Sequence, residues 1–384
     1  MDKRRSTSAI DELWSTVTEL ALTFPEPARS RWHRKGLSTR TERIFNVVSS
    51  MVLGVFALGW SWSIATARSG GDGSLTPATS AISNALTTTG ATSTSYLTDA
   101  ALDLVTPLRG ASGRLQARIQ APGQAVASDT LPTGAMATFS SGEAAVESNA
   151  GMKAPARTGI WSLAIAVGAA IKPIANFSVI TLKPASAKEK GRIGLYYIGN
   201  WPSARGRIAS PKYDAPSGFI EVTKSTQNTA LSDHFRLRDF FPHDQASVWP
   251  KYIVVDMKLV DKLELVLADL ESRGIPSKGV RVLSAFRTPQ YNSGVGDTKG
   301  RAGLSRHMYG DAADIFIDND GNGSMDDLNR DGKVNIGDAR VLLAAVNRVE
   351  AAHPSLIGGC GVYSGTSAHG PFTHIDTRGN PARW

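Results

Sequence analysis

Residues 44–67, IFNVVSSMVLGVFALGWSWSIATA, hold no charged side chain over about the length a helix needs to cross a bilayer. That stretch constrains the rest of the chain because it sorts it into two compartments. Arg29, Arg31, Arg34, Lys35, Arg40 and Arg43 precede it closely, and Arg68 follows. The positive-inside rule then leaves 1–43 as a basic cytoplasmic tail and sends everything after 67 outside. Residues 65–67, ATA, also have the A-x-A form of a signal-peptidase site. The stretch therefore reads as a transmembrane anchor or as a cleaved secretion signal, and the long segment before it favours the anchor.

Charge and cysteine content narrow the function classes. The net charge of +8 is uneven: 1–43 carry 9 basic and 6 acidic side chains, 68–230 carry 15 and 9, and 231–384 carry 18 and 19. The C-terminal part is therefore no nucleic-acid surface. The basic excess upstream suits an anionic membrane or wall polymer, or simply a soluble linker. A single cysteine, Cys360, excludes an internal disulfide framework and a multi-cysteine zinc site. It reads as a small buried residue.

Composition divides the part beyond 67. Residues 68–157 are dominated by Ser, Thr, Ala, Gly and Pro without lasting periodicity, which predicts a flexible tether with one short helix near 98–106. Residues 158–226 contain GIWSLAIAVGAAI, FSVITL, GRIGLYYIG and GFIEVT, short β-rich runs between Gly and Pro signals. They predict a small all-β module.

Residues 227–384 hold the chemistry. DMKLVDKLELVLADLESRG (256–274) predicts a helix with Asp256 as N-cap, Gly274 past its end, and Leu259, Val260, Leu263, Val266, Leu267 and Leu270 as its apolar stripe. GVRVLSAF predicts a strand, RTPQYN a loop, AADIFI a strand, GDARVLLAAVNRVEAA a helix and GPFTHIDT a last strand. The expected fold class is α+β: a small antiparallel sheet packed on helices, preceded by the β module, a disordered tether and one transmembrane helix. In the AADIFI strand, alternation puts Asp314 on one face with Ala312 and Phe316.

His307 and Asp314 stand in the pattern S-x-H-x-x-G-x-A-x-D from Ser305, where Gly310 allows a tight turn and Ala312 leaves room. A catalytic zinc takes three protein ligands and keeps an open position. His374, in HGPFTHID, supplies the third donor.

SRHMYGDAAD (305–314), preceded by SAFRTPQYN and followed by THIDTRGNPARW, resembles the zinc D-Ala-D-Ala carboxypeptidase family. That family includes vancomycin-resistance dipeptidases, phage endolysin peptidases and murein endopeptidases. The resemblance covers about 231–384 and is closest to the branch whose last strand reads H-x-D-T and which ends in Arg-Trp. It implies His307, Asp314 and His374 as zinc ligands, and Arg287 as the group that binds a substrate carboxylate or carbonyl and stabilises the oxyanion. Tyr291, Asn292 and Ser305 would shape the same substrate pocket. Members with an acidic base three residues before the last histidine have Pro371 as their counterpart here; those with a histidine two before it have Phe372. Two base candidates remain. Asp376 shares a strand face with His374, where it is either the base or a partner orienting that ring. His369 is on the preceding loop.

Directly after the Asp314 strand comes an oxygen-rich insertion, 318–338. Asp327, Asn329, Asp331, Gly332, Asn335 and Asp338 occupy positions 1, 3, 5, 6, 9 and 12 of an EF-hand loop, with the Lys333 carbonyl at position 7. The form is similar to dockerin calcium loops. Asp318, Asp320, Asn322 and Asp326 begin an overlapping partial match. Together these residues predict one or two structural calcium ions.

The expectation is a zinc peptidase of the bacterial envelope, anchored in the inner membrane or secreted if the signal is cleaved, that hydrolyses peptidoglycan stem peptides or cross-links. The alternative is a non-catalytic, metal-stabilised module that binds the cell wall or a partner.

Overall fold

The structure, a computed structural model, describes residues 101–384 apart from 102, 128–130, 132, 142–144, 168–169, 203–210, 296–297 and 299–300. The basic tail, the uncharged stretch 44–67 and the tether as far as residue 100 lie outside the described residues. Among the described residues, no helix is long and apolar enough to cross a membrane.

β1 (Ala117–Gln120), β2 (Ala135–Ser141), β3 (Ala145–Asn149), β4 (Gly159–Val167) and β5 (Ala170–Thr181) form a five-stranded sheet in the order β1-β5-β4-β2-β3. Its pairs are antiparallel except β1–β5, which is parallel. On one face Ala135, Ala137 and Phe139 of β2 meet Trp161, Leu163 and Ile165 of β4 and Phe177 and Val179 of β5, under Leu104, Val105 and Leu108. Successive residues of a strand face opposite ways. Ile180, next to Val179, therefore turns into a second and larger core with Leu115 and Ala117.

β6 (Lys183–Pro184), β7 (Arg192–Ile193), β8 (Tyr196–Tyr197), β9 (Gly218–Val222) and β10 (Lys251–Ile253) make two small sheets, β10-β9-β6 and β7-β8. α1 (Met257–Ser272) follows, with the Asp256 carboxylate accepting from Lys258 N at 2.9 Å as its cap. All six residues of its apolar stripe are fully buried. Each such side chain stabilises the fold by roughly 1.5–3 kcal/mol relative to exposure.

β11 (Val280–Ser284), α2 (Pro289–Gly294), β12 (Ala312–Ile317), α3 (Ile336–Ala352), β13 (Gly359–Tyr363), β14 (Phe372–Asp376) and β15 (Ala382–Arg383) complete the chain. The second five-stranded sheet runs β11-β12-β14-β13-β15, with β13–β15 parallel. Ala313, Ile315 and Ile317 of β12 enter the large core with α1, α3, Cys360 and Ile375. That register turns Ala312, Asp314 and Phe316 to the other face.

The expected α+β class is therefore corrected. The described chain is mixed α/β, with four small sheets and few helices, rather than one antiparallel sheet on helices behind a separate β module and a tether. β1, β2 and β3 lie in the stretch expected to be a disordered tether. β2, AMATFSS, alternates buried and exposed positions, but mostly with small side chains. Its apolar signal is weak alone, and bulky Trp161, Leu163 and Ile165 across the sheet complete it. RTPQYN is also not a loop throughout: Thr288 Oγ1 accepts from Tyr291 N at 3.0 Å and Pro289 starts α2.

Candidate metal centre

Two strands and a turn bring His307, Asp314 and His374 together. Asp314 and His374 are direct cross-strand partners in the β12–β14 ladder. His307 sits on a 3-10 turn, Arg306–Tyr309, that Gly310 ends in the left-handed region at φ 74°. The 285–287 backbone holds that histidine at two points: Arg287 N donates to its carbonyl, and its Nδ1 lies 2.6 Å from Ala285 O.

The hydrogen bonds dictate which ring nitrogens are free. His307 Nδ1 faces a carbonyl and must donate, so Nε2 carries the lone pair. His374 has a carboxylate at each ring nitrogen, Asp376 Oδ2 3.1 Å from Nε2 and Asp314 Oδ1 2.9 Å from Nδ1; with Nε2–H donating to Asp376, Nδ1 is the nitrogen that faces inward as a ligand. The separations are 3.2 Å from His307 Nε2 to His374 Nδ1, 3.3 Å from His307 Nε2 to Asp314 Oδ1, and 2.9 Å from His374 Nδ1 to Asp314 Oδ1. Donors about 2.0 Å from a tetrahedral ion stand about 3.3 Å apart, so the three atoms fit one face of such a shell. All three side chains are buried. Three converging electron pairs in a buried site repel one another unless a cation lies between them.

The electrostatics agree. Burial raises the Asp314 carboxyl, but the imidazoles of His307 and His374 outweigh it and hold it far below the usual carboxylate range. Burial pushes the His307 imidazole down, favouring the neutral ligand form. It pulls His374 down as well, yet Asp314 and Asp376 prevail and raise it. This centre draws a cation, a metal ion or a proton.

Asp376 stands behind His374, not beside the donors. It is fully buried; Gly359 N and Arg378 N donate to its Oδ1 at 2.7 and 3.0 Å, and the Arg378 guanidinium spans both oxygens. Lys262 Nζ donates to the Asp376 carbonyl at 2.8 Å and to Glu350 at 2.6 Å. The carboxylate orients the ring from the edge opposite the ligand nitrogen. Of the two alternatives open in the sequence, the geometry takes the orienting one, because the imidazole lies between Asp376 and the donors. Ala312, paired with Asp376 in the ladder, leaves room there.

His369 is half-buried on the loop before β14. Its Nδ1 is 2.8 Å from Gly370 O and its ring packs edge-on against Phe372 at 5.0 Å. Phe372 and His374 share a strand face, and the Nε2 lone pair of His369 is left free.

Arg287 reaches the centre directly: Nη2 donates to Asp314 Oδ2 at 2.7 Å and Nε to Ser284 Oγ at 2.9 Å. Tyr291 lies on α2 between the His243 ring and the Arg301 guanidinium. Asn292 is buried; its Nδ2 donates to Ala302 O, and its Oδ1 has no hydrogen-bond partner. Ser305 is buried at the start of the His307 turn. Cys360 is buried in the core, its thiol pushed up to about 12 by that burial.

Sequence reasoning missed an aromatic flank. Gly361 lies across from His374 in β13, and an added Cβ there would meet Trp384 Nε1 at 2.3 Å. The missing side chain lets the Trp384 indole lie 5.3 Å from the His374 ring, donate to Tyr363 Oη at 2.6 Å and sit under Arg378. Tyr363 stacks on Phe372 at 4.6 Å.

The acidic insertion is arranged differently. Asp318, Asp320 and Asp326 converge, each with a ligand atom within 4.8 Å of the others. Asn322 donates to Asp320 through N and Nδ2. Gly323 N donates to Asp318 Oδ2, and Asn319 N and Nδ2 to Asp326 Oδ2; farther on, the loop's own N–H groups take up the oxygens as well. Asp327 accepts from Asp331 and Gly332, Asp331 from Lys333 and Asn329 Nδ2, Asn335 from Gly337, and Asp338 from Leu328, Asn329 and Asn335. Asn335 and Asp338 form the capping box of α3.

No family model matches the chain, and neither the curated proteins nor the solved structures give a match.

Proposed function

We propose that the chain is a zinc-dependent peptidase acting on peptidoglycan stem peptides or cross-links in the bacterial envelope. One observation carries this reading: two imidazole lone pairs and a carboxylate oxygen form a buried triangle whose edges suit a tetrahedral ion. The substrate class rests on the likeness of 305–314 and of 374–384 to the zinc D-Ala-D-Ala carboxypeptidases, and the setting on the uncharged stretch 44–67.

His307 Nε2, Asp314 Oδ1 and His374 Nδ1 would hold the metal, and a zinc ion there supplies the Lewis acidity that activates water toward a peptide carbonyl. Asp376 fixes the tautomer and direction of His374. Arg287 keeps one guanidinium edge on Asp314, and the Nη1 it has left is suited to a substrate carboxylate or to charge developing on the carbonyl oxygen. His369, with Nδ1–H committed to Gly370 O, offers Nε2 as general base.

A second reading, a metal-stabilised module that binds wall polymer or a partner without turnover, gains support from Asp376. That carboxylate is fully engaged, so the base role falls on His369 alone. Incubating the full chain with muropeptides and resolving the products by mass spectrometry separates the two. The peptidase reading expects a cleaved stem or cross-link that a chelator suppresses; muropeptides bound but unaltered would support the module. The whole chain is required because Trp201, Phe219 and Ile220 share a core with β12 and α1.

A further inference from the structure

The structure assigns a second cation site, independent of the imidazole centre, to Asp318, Asp320 and Asp326. Their carboxylates converge within 4.8 Å at the point where β12 ends. Proximity of acids alone would mean little on a polar surface. The Asp318 side chain, however, is only 2% exposed, and its Oδ1 is buried with no hydrogen-bond partner. A buried carboxylate oxygen left unanswered is costly. The other oxygen, Oδ2, accepts from Gly323 N at 3.2 Å and lies 3.4 Å from Nε of Arg281, whose side chain is 57% exposed. A bound cation answers the remaining oxygen.

The donor chemistry selects the ion. The cluster offers hard carboxylate oxygens, and the insertion 318–338 contains no histidine or cysteine. Such a set suits calcium, which accepts six to eight oxygens in a flexible shell, over zinc. Asp320 lies at the exposed rim, where water can complete the shell.

The position gives the site a task. Asp326 N donates to Ile317 O at 2.8 Å, and Met325 is fully buried in the large core. Beside them the chain passes Gly370, where an added Cβ would stand 2.4 Å from Ser324 Oγ. An ion here ties the end of the strand bearing Asp314 to the turn that ends at Asp326. Its role is structural.

Calorimetric titration of the full chain with calcium chloride, after chelator treatment, tests the site beside Asp318→Asn and Asp326→Asn. The wild type should bind calcium, and Asp318→Asn should bind one equivalent fewer while keeping its calcium-free melting temperature and its capacity for zinc. At about 100 times Kd, calcium should raise the wild-type melting temperature by roughly 5 °C. The rise should shrink in both variants. If Asp318→Asn does not fold, half-buried Asp326→Asn gives the same reading. A wild type that binds no calcium, or variants that bind as many ions as the wild type, would overturn the assignment. Neither outcome depends on what fills the imidazole centre.

Discussion

The imidazole centre and the acidic stretch 318–338 are neighbours in sequence and opposites in construction. His307, Asp314 and His374 come from three elements, and each is aimed by a partner outside the triad: Ala285 O, Arg287 and Asp376. In the acidic stretch, loop N–H groups a few residues away take up Asp327, Asp331 and Asp338. Only where the stretch leaves β12, at Asp318, does a buried oxygen stay unanswered. Density of donors in a sequence therefore says less about a site than the rigidity of what surrounds them.

Four measurements bear on this contrast. The largest effect is expected from His374→Ala, which should take muropeptide hydrolysis down to the uncatalysed level, whereas Asp318→Asn should leave it near the wild-type rate. Equal losses in the two variants would merge the regions into one site. Next, Arg287→Ala should lower kcat about 10²–10³-fold as an oxyanion donor is lost. Metal content measured on the same sample should stay near wild type, and loss of the ion instead would make Arg287 only a support for Asp314.

Third, Asp376→Asn should weaken metal binding about 10–100-fold, read by competition with a chromogenic chelator. Calcium binding at 318–326 should not move. Unchanged affinity at the imidazole centre would remove Asp376 from its orienting role.

The smallest effect concerns the pH baseline against which metal-induced stabilisation is read. The hydrogen bond His234 gives to the Glu264 carboxylate raises its imidazole above the usual value, with burial opposing. A raised folded pKa gives stability that is fully present below the unfolded value of about 6.5 and is lost as pH rises through the folded value. Metal-free melting temperatures should fall over that window, and His234→Gln should flatten the fall. An unaltered slope in that variant would place the dependence elsewhere.

Much of the site was legible because it rests on local signals. Asp256 and the Leu259–Leu270 stripe announce α1, and S-x-H-x-x-G-x-A-x-D carries two donors within one turn and strand. The third donor, His374, and Asp376 two residues on could both be named, but not which edge of the ring meets that carboxylate; the pairing that sets Asp314 against one side of the ring and buries Asp376 beside Gly359 on the other comes only with folding. The same limit hid the flank of Trp384 and Tyr363, since Gly361 reads as an ordinary strand glycine until its ladder partner is known. β2 escaped for a different reason: its buried face is mostly small residues whose bulk is supplied from β4. Thr288 and Pro289 have the form of a helix start, but the six-residue helix they begin is too short to show an apolar period.

Whether the imidazole centre holds zinc can be read by X-ray absorption at the zinc edge on the full chain after zinc loading and dialysis, with His307→Ala and His374→Ala beside it. About one zinc per chain is expected, in a four-coordinate shell of nitrogen and oxygen with two imidazoles, and that ion should be lost in both variants. A wild type that holds no zinc, a shell without imidazole, or full occupancy in both variants would contradict that expectation.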